Sequence, residues 1–485
     1  MEYCPGNLYL NPVATLAVET ERLSMIDLTL VDIPSFNSRF SQYYQSLFEQ
    51  KQALLREREA RISGTRSHTA QFNYSYGLLC LASAIRASGF AVRYVAWNGH
   101  NLEEITKSAK VSRYFGVTSY SATIDDAAIL CKIAKQTTPG LTTIVGGPHA
   151  SHLDKQVLEQ NPEIDLVVRG EGEYTLREIL ASPSDHLANV EGITYRGTDG
   201  TVIRNPPRQE VSDLGDLPLP AYDLLPRDIR DYFINISTSR GCPYRCRFCA
   251  EGTAGRKVRF EPLSHIEREI AFLNTQLPFG TTIYFSDSIF TMNRQRVVEL
   301  CQWIKQQRIH LTFCCAVRHE FMDANLANEM SGANFIRFTV GLEDGNDSVL
   351  KLNAKLTTWA DNLNLLSLLR ENGRPFVTGY WITGLPGSTH ESLQKNLEKI
   401  RLLIREDLVT EINNKVCVPY PGTSLYDDAE ALGITILSQN WREYDRLSLP
   451  VHRLTTLSEY EIYSYFMLTE AVLLEEMRKR EGETA

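Results

Sequence analysis

The chain has 485 residues, 43% of them apolar and 22% charged, and a formal net charge of -9. That length implies two or more domains, the composition excludes a disordered chain, and the acidic balance argues against a nucleic-acid-binding face. Ten cysteines are too sparse for a disulfide scaffold, so grouped ones point to a metal. Residues 1–10 show no basic-then-apolar leader, and no run approaches the roughly 18 apolar residues of a membrane span. The expectation is a cytoplasmic protein with neither nucleic-acid nor membrane partners.

Residues 1–189 read as one domain. Short β-branched runs at 26–32, 92–97, 114–119, 142–145 and 165–168 alternate with helical patterns near 77–88, 124–136, 153–159 and 173–180. That alternation predicts a parallel, Rossmann-like (flavodoxin-like) sheet. Each strand tip ends in small or polar residues: Asp32-Ile33-Pro34-Ser35, Ser119-Tyr120-Ser121, Gly146-Gly147-Pro148-His149 and Gly170-Glu171-Gly172-Glu173. Ligands bind at such carboxyl ends, so these tips outline a crevice. The Gln/Glu/Arg/Leu-rich stretch 40–61 reads as an inserted helix, solvated or acting as a local lid, rather than a nucleic-acid arm.

From 190 to 232 a hairpin-like run and proline clusters (Asn205-Pro206-Pro207, Leu217-Pro218-Leu219-Pro220) read as an ordered linker. Residues 233–440 return to strand-then-helix order, with strands at 233–239, 281–287, 311–317, 335–343, 377–385 and 413–420. Six such units predict a partial (β/α)6 barrel, open on one side. A helical C-terminal region follows at 441–485, its helix near 457–480.

Immediately after the first barrel strand stands Ser239-Arg240-Gly241-Cys242-Pro243-Tyr244-Arg245-Cys246-Arg247-Phe248-Cys249. Three thiolates within eight residues converge on one inorganic centre only through a tight loop. A structural zinc generally takes four protein ligands, and no fourth stands nearby, His265 lying in a helix further on. A cubane with three cysteine ligands leaves one iron open to substrate.

This C-x3-C-x2-C spacing, with Phe248 before the third cysteine, resembles the radical S-adenosylmethionine superfamily. The resemblance implies a [4Fe–4S] cluster on Cys242, Cys246 and Cys249, with S-adenosylmethionine (SAM) chelating the open iron and cleaved to a 5'-deoxyadenosyl radical. It implies further cofactor contacts from Phe248, from Ser286 and Asp287 at the second strand tip, from Glu343 at the fourth, and from Gly384 and Pro386 at the fifth, an adenine-binding turn. Each of these tips alone could be a surface turn with a capping acid. Arg240, Arg245, Arg247, Arg256 and Lys257 crowd the cysteine loop, either as a solvated basic face or as a dock for an electron donor such as flavodoxin or ferredoxin. The other cysteines read as small buried apolar residues.

An α/β domain ahead of such a barrel resembles the cobalamin-binding members of that superfamily, most of them methyltransferases. The resemblance rests on Tyr76-Gly77-Leu78-Leu79-Cys80-Leu81-Ala82, Gly146-Gly147-Pro148-His149-Ala150, Arg169-Gly170-Glu171-Gly172-Glu173 and the proline linker. It implies cobalamin contacts from Tyr76, Gly77, Ser119, Ser121, Gly146, Gly147, His149, Gly170 and Glu171, with Tyr76 or Tyr74 shielding the lower cobalt face. No histidine follows an aspartate by two positions, so the Asp-x-His-x-x-Gly of mutase-type proteins is missing and cobalamin is expected base-off, without a histidine ligand. The implied reaction is methyl transfer to a non-nucleophilic carbon of a small-molecule or carrier-bound substrate. Two alternatives stay open: a non-methylating radical reaction (cyclisation, dehydration or rearrangement), and a corrinoid carrier with a zinc-stabilised barrel.

Overall fold

A computed structural model describes residues 25–33, 42–63, 72–182, 184–251 and 257–482. Residues 1–10, Pro34, Ser35 and Arg256, which figure in the sequence reading, lie outside the described residues.

The first sheet contains β1 (Ile26–Asp32), β2 (Val92–Ala96), β3 (Ser112–Thr118), β4 (Thr142–Gly146), β5 (Leu166–Val168), β6 (Ile193–Arg196) and β7 (Val202–Arg204), in the order β2-β1-β3-β4-β5-β6-β7. The first five are parallel, with Val31 opposite Val95 on one side and Val117 on the other. Both faces of β1 are covered. Leu28 and Leu30 pack with Leu78, Leu79 and Ile85 of the helix Tyr76–Ala87, whereas Val31 packs with Ile124 and Ala127 of the helix Ile124–Thr137. Two-sided burial explains the near-continuous apolar runs. The order 2-1-3-4-5 is the flavodoxin-like one, with its switch point between β1 and β3.

Three local features depart from the sequence reading. The hairpin β6–β7, expected in the linker, continues the first sheet in antiparallel fashion, Val167 pairing with Thr194. A further helix, Leu102–Val111, turns only Ile105, Ser108, Ala109 and Val111 inward, too short a stripe to stand out. The helix Gln42–Ser63 is neither solvated nor a lid. Its Leu47, Leu54 and Leu55 are core residues, and it lies along the C-terminal helix Glu459–Glu481. There the buried Lys51 ammonium meets Glu470 at 3.2 Å and donates to the Ile412 carbonyl at 3.0 Å. A chain segment from the first half thus braces the second.

The second sheet holds β8 (Asn235–Ile236), β11 (Thr282–Phe285), β12 (Thr312–Val317), β13 (Phe335–Glu343), β14 (Phe376–Thr383) and β15 (Glu411–Val416), all parallel, in chain order across the sheet. It is open between β15 and β8, as six units require. The first strand is shorter than the sequence suggests. At Thr238 the backbone N–H donates to Asp287 (3.1 Å) instead of a ladder, and the chain turns into β9 (Ser239–Arg240), antiparallel to β10 (Arg259–Phe260). The C-terminal region adds a small hairpin, β16 (Ile434–Ile436) with β17 (His452–Leu454), before a helix capped by the reciprocal Ser458 and Glu461 bonds and ended by Gly482. Among the described residues no helix is long and apolar enough to cross a membrane.

Candidate active site between the two sheets

One cavity of about 1970 Å³ lies between the tips of the two sheets. Drug-sized ligand pockets run to roughly 1,000 Å³ at most, so this one suits a macrocyclic cofactor together with further ligands. From the first domain Tyr76, Gly77, Ser121, Gly147, His149, Gly170 and Glu171 line it; from the second, Ser286 does, with Gly241 and Ala250 bracketing the cysteines.

Gly147 has φ +100°, and a Cβ there would sit 2.4 Å from the Ser119 carbonyl oxygen. Any side chain would break the Ser119–Gly146 contact, in which both the N–H (2.8 Å) and the hydroxyl (2.9 Å) of Ser119 donate to the Gly146 carbonyl. Ser119 and Gly146 therefore build the wall rather than face the cavity. At Gly77 and Gly170 a Cβ would meet nothing nearer than 4.0 Å and nothing at all, respectively. This is bare backbone turned to open space, the form of surface that lets a flat cofactor approach main chain.

His149 is buried, its Nδ1 3.0 Å from the Ser121 hydroxyl and its ring edge-on to Trp441 at 4.7 Å. Burial, with neighbouring His152, pushes it down to about 4. It is neutral at pH 7 and fixed by its own partners. The Tyr76 hydroxyl donates to Glu269 (3.2 Å), which also accepts from Tyr222 (2.7 Å). Burial raises Glu269 to about 7 despite the Tyr222 bond.

Glu171 lines the cavity with its carboxylate already engaged. Its carboxylate is spent on Arg259 (2.9 Å), Arg240 (3.1 Å) and the Val211 N–H (2.6 Å), while Glu173 takes the other arm of Arg240 at 2.8 Å. Burial opposes ionisation of Glu171, but these donors hold it below the usual carboxylate range. Glu171 is thus a clamp on the strand leading into the cysteine loop, and Arg240 belongs to no solvated basic face. Arg245 remains exposed.

In the loop Gly241 takes φ +91°, which turns the chain off β9. Cys242 is buried and Cys246 and Cys249 half-buried, with the Cys249 N–H donating to the Cys246 carbonyl at 3.1 Å. Burial raises all three thiols, Cys249 to about 12 with the Glu251 charge adding to it. Among the described residues no three Cys, His, Asp or Glu side chains form a set able to hold one metal ion, these three included. A cubane asks for a wider triangle, each cysteine on its own iron. The donor set, three thiols on one tight loop, fits it.

The SAM candidates divide. Ser286 faces the cavity. Asp287 does not: it is buried beneath the loop, accepting from the Thr238 N–H, the Thr238 hydroxyl (2.8 Å) and the Ser239 hydroxyl, so it positions the loop's entry. Glu343 adopts φ +63°, rare for a side-chain-bearing residue, beside a bulge in β13, and pairs with buried Lys355 at 3.0 Å. Phe248 packs on the cluster containing Leu385 and Val416, and Gly384 abuts Ile462.

Two residues absent from the sequence reading tie these parts together. Asn353, fully buried, donates to the Pro386 carbonyl (3.0 Å), while its own carbonyl accepts the Arg247 N–H (3.1 Å), joining the fifth-strand turn to the cysteine loop. Arg318 stacks on Tyr244 at 3.8 Å, and its charge, with that of Lys355, works against the burial of Cys246. Neither carries a motif; both lie in ordinary helix-flanking sequence.

A doubly wound sheet and an open six-strand barrel with three cysteines at its first tip, sharing one cavity, define a class of two-domain redox enzymes. Residues 236–400 match the radical SAM superfamily and residues 63–180 the B12 binding domain. An uncharacterised methyltransferase of Pyrococcus horikoshii is 27% identical over 78% of this chain and 85% of its own length. An anaerobic magnesium-protoporphyrin IX monomethyl ester cyclase of Rubrivivax gelatinosus is 28% identical over 66% of this chain and 60% of its own. The fold is shared with the radical SAM methyltransferase TsrM of Kitasatospora setae, solved with cobalamin and a [4Fe–4S] cluster, at TM-score 0.67 and 17% identity over 92% of this chain and 91% of that one. The chain thus carries a B12-binding domain followed by a radical SAM domain, and its relatives include both methyltransferases and cyclases.

Proposed function

We propose that this protein transfers a methyl group to a non-nucleophilic carbon of a small-molecule or carrier-bound substrate. The observation that carries the reading is the single cavity, shared by the glycine-lined tips of the first sheet and the turn that launches the cysteine loop. When bound, the cluster supplies the electron that cleaves SAM, and cobalamin supplies the methyl group. Cys242, Cys246 and Cys249 would hold the cluster; Phe248, Ser286, Glu343, Gly384 and Pro386 would serve SAM; Tyr76, Gly77, Ser121, Gly147, His149 and Gly170 would border cobalamin. His149 would do so as a neutral wall residue, its ring packed edge-on against Trp441. The missing Asp-x-His-x-x-Gly supports a base-off cobalamin without a histidine ligand. The domain that receives it extends through the β6–β7 hairpin, and a flavodoxin or ferredoxin of a reducing cytoplasm would supply electrons.

The cyclase similarity keeps one rival in play, a radical reaction without methyl transfer. Anaerobic reconstitution with iron, sulfide and hydroxocobalamin, followed by turnover of methyl-labelled SAM, separates the two. The proposal expects about four irons, retained corrinoid, 5'-deoxyadenosine and label in the product. Deoxyadenosine with an unlabelled, altered product would replace it with the cyclase-like reading. Loss of corrinoid on desalting would reduce the first domain to a scaffold.

A further inference from the structure

The cavity is lined by many cations, and nearly all are already spoken for. Arg169 and Arg204 meet Asp154 (3.5 and 2.6 Å), Arg208 meets Glu178, Arg240 and Arg259 meet Glu171, and Arg442 meets Asp125 (3.2 Å) and Asp126 (2.6 Å). Two are not. The side chains of Lys415 and Arg446 both line the cavity, and among the described residues neither has a hydrogen-bond or ion-pair partner.

Their placement is built into the fold. Lys415 lies on β15, the last barrel strand, in register with Ile382 of β14. Arg446 is pinned beside it, its carbonyl accepting the Val416 N–H at 2.8 Å. Burial, then the charges of Arg446 and Lys51, push the Lys415 ammonium down to about 8, while Glu470 and Glu411 pull it back. Lys51 already occupies Glu470. Two cations held together with no anion between them are costly, and an anion entering the cavity would relieve the repulsion.

β15 is the sheet edge farthest in strand order from β8, which leads to the cysteines. The segment after β15 nonetheless touches the cysteine loop, the Leu425 N–H donating to the Arg247 carbonyl at 3.2 Å, so a ligand held at Lys415 shares a rim with that loop. Tyr420, which also lines the cavity, stands beside the pair and would offer an aromatic surface to the ligand's body.

We infer that Lys415 and Arg446 form the anchor for an anionic oxygen group, a carboxylate, phosphate or phosphonate, on the substrate, which holds its reacting carbon toward the cysteine loop. The inference rests on the proposed function for the word substrate, but its test reads binding without turnover.

The full chain, loaded anaerobically with iron, sulfide and hydroxocobalamin, would be titrated calorimetrically with phenylphosphonate and with benzoate, benzyl alcohol serving as the neutral comparator. Saturable binding of at least one anion and none of the alcohol is expected, the tighter anion marking the headgroup class. Lys415→Met and Arg446→Met should each weaken it at least tenfold and Lys415→Arg much less, with iron, corrinoid and SAM affinity unchanged. Absence of anion binding, or binding indifferent to both Met variants, overturns the inference. Loss of anion binding together with corrinoid or SAM also overturns it, because the cations would then belong to a cofactor. Should Lys415→Met fail to fold, Arg446→Met on its more exposed segment decides the matter. Anion binding without methyl transfer would leave the anchor standing and remove the reaction instead.

Discussion

Arg240 and Glu173 meet at 2.8 Å across the seam between the two sheets, with Glu171 on the other arm of the guanidinium at 3.1 Å. The first is one residue before the turn into the cysteine loop; the second begins a helix of the first domain, where a carboxylate also suits the helix dipole. Burial works against the Arg240 charge, and the two glutamates more than offset it. Arg240→Met leaves the buried Glu173 carboxylate uncompensated while Glu171 keeps Arg259, a loss of about 2–3 kcal/mol. Thermal unfolding of the apo chain should show the two domains separating into distinct transitions, with proteolysis favouring the linker around Pro218. A single transition at the wild-type temperature would mean that the seam is held elsewhere.

Replacing any one of the three loop cysteines, the proposed cluster ligands, should have a sharper and more selective effect. Cys246→Ser, at the half-buried centre of the loop, is expected to lower reconstituted iron several-fold and to abolish 5'-deoxyadenosine, while corrinoid retention stays at the wild-type level because no cobalamin contact is touched. Iron analysis and the visible spectrum of the corrinoid report the two separately. Cys301→Ser, inside a barrel helix away from the cavity, serves as the control and should keep its iron.

The layout of both sheets was legible because its signals are local. Apolar runs flanked by Gly, Pro and Ser marked β1, β4 and β13 to the residue or nearly so, and the Cys242 loop announced itself by spacing. What stayed hidden depends on partners distant in sequence. Lys51 looks like a surface lysine until Glu470, more than four hundred residues away, buries it. Glu171 stood in a glycine-rich tip and looked like a ligand contact, yet Arg240 and Arg259 claim it; Asp287 likewise ended a strand at the expected place but points under the loop. In both cases the sequence located a carboxylate at the rim without saying which way it turned. Asn353 had no signal at all, since its role is to satisfy two backbone groups brought together only by the fold.

The buried Glu269 makes the domain junction sensitive to pH. Its folded value of about 7 lies above the ordinary glutamate value of 4.5, so the folded state holds a proton that the unfolded state releases between those two pH values. Stability from this group is present at low pH and is lost as pH rises through 7, by on the order of 3 kcal/mol in the limit. Glu269→Gln keeps the Tyr76 and Tyr222 contacts without the charge. Urea unfolding of wild type from pH 4 to 8 should show a decline, levelling off above pH 7, that the variant lacks; parallel profiles would place the titration on another group.

Asn353 offers the most discriminating test of how the SAM side of the site is assembled. Its side-chain amide donates to the Pro386 carbonyl, and also to Val349 at 2.9 Å, whereas the bond to Arg247 uses its backbone. Asn353→Ala should therefore spare the cysteine loop and release the Gly384–Pro386 turn, leaving a buried carbonyl unpaired at a cost of about 1–3 kcal/mol. Asn353→Asp cannot donate and would add a buried charge, so it should be the worse of the two. If the turn serves SAM as proposed, equilibrium dialysis should find SAM affinity reduced about tenfold in the alanine variant at unchanged iron content. Equal loss of iron and SAM would instead make Asn353 a support for the cluster loop, and no loss of either would detach Pro386 from the site.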